Sequence, residues 1–288
     1  MKLFSQVADL HECLDGLRAQ KKSVGLVPTM GYLHEGHLSL VERSNEENDV
    51  TVTTIFVNPL QFAEGEDLAS YPSDLQSDTE QCEKIGSDVL FIPSLQDMYP
   101  EPILTSVQVD DFTKRMEGES RPTHFAGVAT VVAKLFNITG PCNAYFGEKD
   151  WQQLQVITKM VRDLSFRVCV IGCPIIRYRD GLALSSRNAY LTTDERQSAT
   201  VLSRSLQKAS DLIRAGETSS VDIQKLIERE VASEPLVELD YVETVDGSSL
   251  IPVDEIVPGT RILIAAAVGK ARLIDNIDAF TGITGFSS

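Results

Sequence analysis

Residues 23–41 read SVGLVPTMGYLHEGHLSLV, an apolar run that breaks into a loop bearing two glycines and two histidines and then resumes as a different apolar pattern. Val24, Leu26 and Val27 predict a strand, closed by Pro28, which has no N–H to give a continuing ladder. Gly31 and Gly36 punctuate the loop. Beyond Gly36, the residues Leu38, Leu40 and Val41 give way to the polar run ERSNEEN, the pattern of a helix that lays one face on a sheet. The loop therefore delivers His34 and His37 to the mouth of a helix. Unpaired backbone N–H groups and the positive end of the helix dipole suit an anion there, above all the phosphates of a nucleotide.

Two familiar anion or metal motifs fail on inspection. The spacing from Gly31 to Gly36 imitates a phosphate-binding Walker A loop, but His37 and Leu38 stand where that loop needs Lys and Ser or Thr. The pair HEGH is not the zinc motif HExxH, because its histidines are three residues apart rather than four. What remains is two imidazoles that donate hydrogen bonds to triphosphate oxygens, against the plainer alternative of two histidines in a surface loop.

The 288 residues carry 26 basic and 42 acidic side chains, a formal charge of −16. Such a surface repels a phosphate backbone, so nucleic acid and anionic membranes are poor partners, and an anionic substrate must be met by local positive charge. Neither a run of eighteen apolar residues nor a basic-then-apolar leader is present, which predicts a cytoplasmic protein. The five cysteines (13, 82, 142, 169 and 173) are scattered without a CxxC pair, and read as small buried apolar residues.

Further along, VTVTTIFV (50–57) predicts a second strand that opens at Asn58 and Pro59 into a loop carrying Gln61 and Tyr71. Asn58 and Gln61 each offer a donor and an acceptor, which suits a hydroxy acid; the plainer reading makes Asn58 a turn and Gln61 a solvated side chain. A polar helix over 74–86 and a strand over 88–92 follow, and Arg121 and His124 lie in the loop before an apolar helix. CNAYF (142–146) predicts another strand, running into Gly147, Glu148, Lys149 and Asp150. The helix beyond carries Leu154, Ile157, Val161 and Leu164 on one stripe, with Lys149 and Gln153 able to face one side. Strands alternating with helices imply a parallel sheet whose ligands bind beyond the carboxyl ends of its strands.

After a further strand (167–172) the pattern changes near residues 173–177. Ser185, Ser186, Arg187 and Asn188 supply two hydroxyls and a guanidinium, the makings of a phosphate clamp, or simply the approach to a helix. One long helix is predicted over 192–215, capped by Thr192 with Glu195 and ended by Gly216. A second helix spans 221–231. A strand pattern LVELDYVETV, a turn at Asp246–Gly247 and RILIAAAV complete a smaller α+β domain.

The loop PTMGYLHEGH resembles the HIGH-type loop of class I nucleotidyltransferases, and in this fuller form the pantothenate synthetase family. The resemblance continues in order through FVNPLQF, RPTHFAGV, YFGEKDWQQL, GLALSSRN and VGKARLIDNI. It implies a Rossmann-like α/β nucleotidyltransferase domain over residues 1–175 that binds ATP and pantoate. A smaller α+β lid domain would span 176–288. The implied reaction is ATP-dependent ligation of pantoate to beta-alanine through a pantoyl adenylate, with Mg²⁺, in a homodimer. Residue by residue, it assigns His34, His37, Lys149, Ser185, Ser186 and Arg187 to the ATP phosphates, with His34, His37, Lys149 and Arg187 catalytic. Met30, Gly147 and Asp150 would lie near the nucleotide, and Asn58, Gln61 and Gln153 near pantoate. Arg121 and His124 match RPTHF without an assigned role, and Asp78 is a candidate Mg²⁺ neighbour. Ser73 stands where family members often carry Arg after the YP of Tyr71 and Pro72. The implied chemistry needs these cations: two like charges about 4 Å apart repel by roughly 4 kcal/mol at an effective dielectric of 20. No enzyme nucleophile is required.

Overall fold

The computed structural model describes residues 1–286. They form two compact units, one of Met1–Glu148 with Gln152–Cys173, the other of Lys149–Trp151 with the chain from Pro174 onward.

The first unit is a sheet of six parallel strands: β1 (Lys2–Phe4), β2 (Val24–Thr29), β3 (Val50–Ile55), β4 (Val89–Phe91), β5 (Cys142–Gly147) and β6 (Val168–Cys173). Their order is β1-β4-β3-β2-β5-β6. Its helices are α1 (Val7–Ala19), α2 (Glu35–Glu47), α3 (Leu75–Ile85), the single turns α4 (Leu95–Met98) and α5 (Glu117–Ser120), α6 (His124–Thr139) and α7 (Trp151–Asp163). Every residue of β3 is buried, as a parallel strand covered on both faces requires. Leaving aside the edge strand β1, the chain starts at β2, builds outward to β4, then returns to add β5 and β6 on the other side. The direction of winding reverses between β2 and β5, and the crevice beyond their carboxyl ends is where such a sheet takes its ligand.

Two local expectations fail for identifiable reasons. β2 does not close at Pro28 but pairs with β3 through Pro28 and Thr29. The carbonyls of Ser23 and Thr29 point to β3, so in the alternation of a parallel ladder Pro28 turns its nitrogen toward β5. There the pairing has already ended at Leu26, and no donor is missed. In α7, Leu154, Ile157 and Val161 are buried, but Leu164 lies past the last helical turn and is 55% exposed.

The second unit pairs three antiparallel strands, β7 (Val237–Asp246), β8 (Thr260–Val268) and β9 (Ala271–Asp278), with α8 (Thr193–Ser198), α9 (Val201–Arg214) and α10 (Ser220–Ala232). Its core sets Leu202, Leu206 and Ile213 of α9 and Ile223 and Ile227 of α10 among Ile262, Ile264, Leu273 and Ile277 of the sheet. The expected single helix over 192–215 is two. Thr200 and Leu202 donate to carbonyls three residues back, and the Thr200 and Ser203 hydroxyls take carbonyls at the same spacing, which tightens the chain at the break. The Thr192–Glu195 capping box is present. The expected turn at Asp246 and Gly247 is present. Asp246 collects the N–H and hydroxyl groups of Ser248 and Ser249, which hold its carboxyl down at about 2. The chain folds back at once, the Asp246 N–H donating to the Ile251 carbonyl and Val245 bridging to Pro252, before β8 begins at Thr260.

Candidate functional site

The loop after β2 is built to present its histidines. Gly31 has φ +84°, where a Cβ would also meet Asp78 Oδ2 at 2.9 Å, so glycine is needed for conformation and space together. Asp78, reached from α3 and 2% exposed, accepts the backbone N–H groups of Tyr32 at 2.8 Å and Leu33 at 2.7 Å. His34 is the N-cap of α2: its Nδ1 accepts the N–H of Gly36 at 3.1 Å, and Nδ1 of His37 accepts the N–H of His34 at 3.4 Å. A neutral imidazole whose Nδ1 accepts carries its proton on Nε2. Both rings, their centroids 4.1 Å apart, are thereby set in the same tautomer.

The loop after β3 is far from solvated. Asn58 and Gln61 are 1% and 8% exposed, which overturns the plainer reading of Gln61. The amide of Asn58 donates to Gln61 Oε1 and to the carbonyl of Gly127, each at 3.2 Å, and accepts the Tyr99 hydroxyl at 2.9 Å. Burial raises the Tyr99 pKa to about 12, so the hydroxyl keeps its proton. Gln61 Nε2 lies 3.0 Å from the Met30 thioether, a weak acceptor. Met30, Asn58 and Gln61 are thus brought together, with Asn58 holding Gln61 and Gln61 meeting Met30.

Arg121 and His124 gain a geometry. Arg121 grips Glu66 from Nε at 2.8 Å and Nη2 at 2.6 Å and also reaches the Gln61 carbonyl; His124 Nδ1 lies 2.9 Å from that carbonyl and must donate to it. Burial opposes ionisation of Glu66, but the guanidinium hydrogen bonds outweigh it and hold its carboxyl low. Burial, with Arg121 adding to it, takes the His124 pKa down to about 4, so this ring is neutral at pH 7. His124 opens α6, twelve of whose sixteen residues are buried, so the anchor itself is rigid. Gly127 allows the approach, since a Cβ there would lie 2.1 Å from the Leu60 carbonyl oxygen. Gln152, next to the candidate Gln153, is spent on structure, accepting the N–H of Glu117 and donating to the carbonyls of Phe112 and Arg115. The half-buried Gln153 makes no side-chain hydrogen bond among the described residues.

Lys149, Asp150, Ser185, Ser186 and Arg187 all belong to the second unit. Gly147, ending β5, remains with the first. The Lys149 ammonium lies 3.6 Å from Asp150 and is 18% exposed. With Ser185 and Asn188 it lines a small, partly open concavity. Ser185 caps the 3₁₀ turn Ser186–Tyr190 by accepting the N–H of Arg187 at 3.3 Å. Asn188 Nδ2 donates to the Ala183 carbonyl, while its buried Oδ1 has no partner among the described residues.

Asp78 has each oxygen engaged by a backbone N–H, and burial raises its pKa, partly offset by those bonds to Leu33 and Tyr32. It fits a loop brace better than a metal ligand. Among the described residues no three His, Cys, Asp or Glu side chains converge as a metal cage. Of the five free cysteines, three are buried and burial lifts their pKa values, Cys82 and Cys173 to about 11 and Cys142 to about 12. Cys169, by contrast, is exposed on β6, and Cys13 is intermediate. No helix among the described residues is long and apolar enough to cross a membrane.

Several supporting residues escaped the sequence. Tyr99 and Glu66 stand outside every recognised motif, and nothing in spacing links them to Asn58 or Arg121. Asp275 and Asn276 do lie in VGKARLIDNI, and the structure shows why that stretch matters. Asp275 forms a buried, two-pronged ion pair with Arg177 at 2.6 and 2.7 Å.

Compared with known proteins, residues 2–278 match the family model described as pantoate-beta-alanine ligase. Pantothenate synthetase from Clostridium botulinum (strain Loch Maree / Type A3) is 48% identical over 276 residues, 96% of this chain and 98% of that one. The Acetivibrio thermocellus pantothenate synthetase is 49% identical over 277 residues, covering 96% and 99%. Among solved structures, pantothenate synthetase from Thermus thermophilus superposes with a TM-score of 0.93 at 46% identity, over 97% of this chain and all of that one. Pantoate-beta-alanine ligase from Francisella tularensis, complexed with beta-gamma ATP and beta-alanine, gives 0.80 at 35% identity, over 98% and 99%.

Proposed function

The chain belongs to the pantoate-beta-alanine ligase family, and from that premise we propose that it condenses pantoate with beta-alanine to pantothenate, driven by cleavage of ATP. A pantoate carboxylate oxygen attacks the α-phosphorus and the bond to pyrophosphate breaks. The beta-alanine amine then attacks the acyl carbon of the pantoyl adenylate, AMP leaves with the bonding pair, and the amine gives up a proton. The observation that carries this reading is the pairing of two chemistries at neighbouring strand ends. Two imidazoles of fixed tautomer stand at the mouth of α2, and a buried amide, Gln61, is held at Oε1 by Asn58 while its Nε2 meets only a thioether among the described residues.

In this proposal His34 and His37 donate from Nε2 to phosphate oxygens. Lys149, Ser185, Ser186 and Arg187 add charge and hydroxyls from the second unit, and offset the repulsion between carboxylate and triphosphate. Met30, Gly147 and Asp150 lie along the nucleotide. Gln61 exchanges the Met30 sulfur for a pantoate oxygen, a far better acceptor, with Gln153 as its companion and Asn58 fixing its orientation. Arg121 and His124 hold the Gln61 main chain. The second unit has a covering role, because a mixed anhydride hydrolyses where water reaches it. Mg²⁺ would enter with the ATP phosphates, as this ion commonly does, its charge easing attack on them. A homodimer and a cytoplasmic location complete the proposal, supported by the family resemblance; sedimentation velocity tests the first.

The reaction itself is tested by product and exchange. With pantoate, beta-alanine and Mg²⁺, the nucleotide released should be AMP. With beta-alanine omitted, labelled pyrophosphate should still pass into ATP. Release of ADP would identify an acyl-phosphate ligase instead, and a chain that binds ATP without either product would be a sensor.

A further inference from the structure

Lys149 lies in sequence between two elements of the first unit, yet with Asp150 and Trp151 it belongs to the second. Polar contacts from β8 and β9 account for this. Asn276, 1% exposed, donates from Nδ2 to the Lys149 backbone carbonyl at 2.9 Å, while its Oδ1 accepts from Arg261 Nε, also at 2.9 Å. The Arg261 guanidinium lies over the Trp151 ring, 3.6 Å from its centre, and the Trp151 indole N–H donates to the Gly247 carbonyl at 2.8 Å. Beneath them the Arg177–Asp275 ion pair is buried, and Arg177 also reaches the Asn276 carbonyl at 3.3 Å.

We infer that Asn276 is a positioning residue for Lys149: its amide fixes the peptide plane between Lys149 and Asp150, and so the direction in which the lysine leaves the chain. The inference rests on the reading of Lys149 as the cation that meets the ATP phosphates. Lys149 sits in a 3₁₀ turn of three residues, Glu148–Asp150, too short to set its own direction. A lysine side chain has four flexible carbons, so the fixed part must be the main chain. The Asn276 amide donates to that carbonyl and accepts from Arg261 at the same time, which ties the main chain at Lys149 to β8. The ion pair beneath holds β9 against the chain near Arg177, so that the amide is itself fixed. Lys149 and Ser185 thereby line one concavity as parts of one unit.

The test is Asn276→Asp, which keeps the volume and the acceptor for Arg261 but turns an oxygen, not a donor, toward the Lys149 carbonyl. Pyrophosphate exchange in the absence of beta-alanine should fall about tenfold to 100-fold, with the KM for ATP changed less than about threefold, as expected when a reacting group is displaced by a fraction of an ångström to an ångström. In a Lys149→Ala background the same substitution should change the residual exchange by less than about twofold, because its effect passes through the missing side chain. Wild-type exchange in Asn276→Asp, or an equal loss in both backgrounds, would overturn the inference; the second result is what a purely structural role gives. Should Asn276→Asp fail to fold, Asn276→Ala removes the same donor and is read by the same two comparisons. Failure of the underlying reading shows separately, as wild-type exchange in Lys149→Ala alone.

Discussion

His37 Nδ1 accepts the backbone N–H of His34 at 3.4 Å, so the second histidine of the loop fixes the first, while His34 caps the helix that carries His37. Each ring gives its acceptor nitrogen to the fold, and in the proposed function its donor nitrogen to the phosphates. The two functions can therefore be separated by substitution.

His34→Asn leaves a side-chain oxygen where Nδ1 stood and is itself a favoured N-cap, so the helix start survives, but nothing replaces Nε2–H. It should unfold within a few degrees of the wild type while pyrophosphate exchange falls on the order of 100-fold to 1000-fold, the usual effect of removing one preorganised donor. His34→Ala should lose the same activity and roughly 1 kcal/mol of stability besides. Near wild-type exchange in the Asn variant would return His34 to a structural role.

Gln61→Ala should impair use of pantoate far more than binding of ATP, since a site that pairs a substrate's polar groups loses them specifically. Arg121→Lys makes the complementary case. A point-like ammonium cannot reproduce the fork onto Glu66 together with the bond to the Gln61 carbonyl. The loop should loosen and the KM for pantoate rise, with ATP affinity nearly unchanged. Calorimetry with each ligand separately decides; equal losses for both ligands would mean that the loop had simply misfolded.

Acid should act on the same loop through His124. Its pKa is lowered in the folded protein to about 4 from an ordinary value of 6.5, so the unfolded chain binds more protons between those values. The stability it contributes is complete above pH 6.5 and is lost as the pH falls toward 4. Between pH 7 and pH 5 this one group should cost roughly 2 kcal/mol. His124→Asn keeps a donor for the Gln61 carbonyl and cannot titrate. Urea unfolding at the two pH values should show the difference shrinking by about that amount in the variant; an unchanged difference would place the acid sensitivity elsewhere.

What the sequence could and could not show follows from where each signal resides. The strand-loop-helix around His34 was legible because its pattern is local: an apolar run, two glycines and a polar helical face. The alternation of strands and helices likewise implied the parallel sheet. Pro28 misled because its tolerance depends on where β5 stops pairing, a fact about another strand. The break near Thr200 was hidden because serine and threonine hydroxyls that tighten a helix look, in sequence, like ordinary polar positions. The plainer reading of Gln61, a solvated side chain, misses its burial because the groups that meet it, Met30, Arg121, His124 and Gly127, lie 31 to 66 residues away. β1 and α1 bear no motif, and α1 buries only Leu10 and Leu14, too little periodicity to stand out. The assignment of Lys149 to the second unit was the least visible, since the contacts that tie residues 149–151 there come from Gly247, Arg261 and Asn276, 96 to 127 residues distant.

Lys149→Ala separates binding from chemistry most sharply. The lysine is mostly buried, and its nearest carboxylate, on Asp150, stands off at 3.6 Å, a loose pair that an incoming phosphate can outcompete. In the proposed reaction its charge would meet, in the ground state, a triphosphate that Mg²⁺ would already partly neutralise. As the pantoate carboxylate approaches the α-phosphorus, negative charge gathers on the bridging oxygen and the departing pyrophosphate, and the ammonium gains most there. An interaction stronger in the transition state than in the bound state appears in kcat rather than in KM. Pyrophosphate exchange should therefore fall on the order of 100-fold or more, while the dissociation constant for ATP rises less than about tenfold. Lys149→Arg keeps the charge on a longer, planar head that is set by the same anchored main chain, and should recover only part of the loss. A matching loss of ATP affinity and exchange rate in Lys149→Ala would make the lysine a simple binding group. Full activity in Lys149→Arg would show that charge alone, without its direction, is what the site needs.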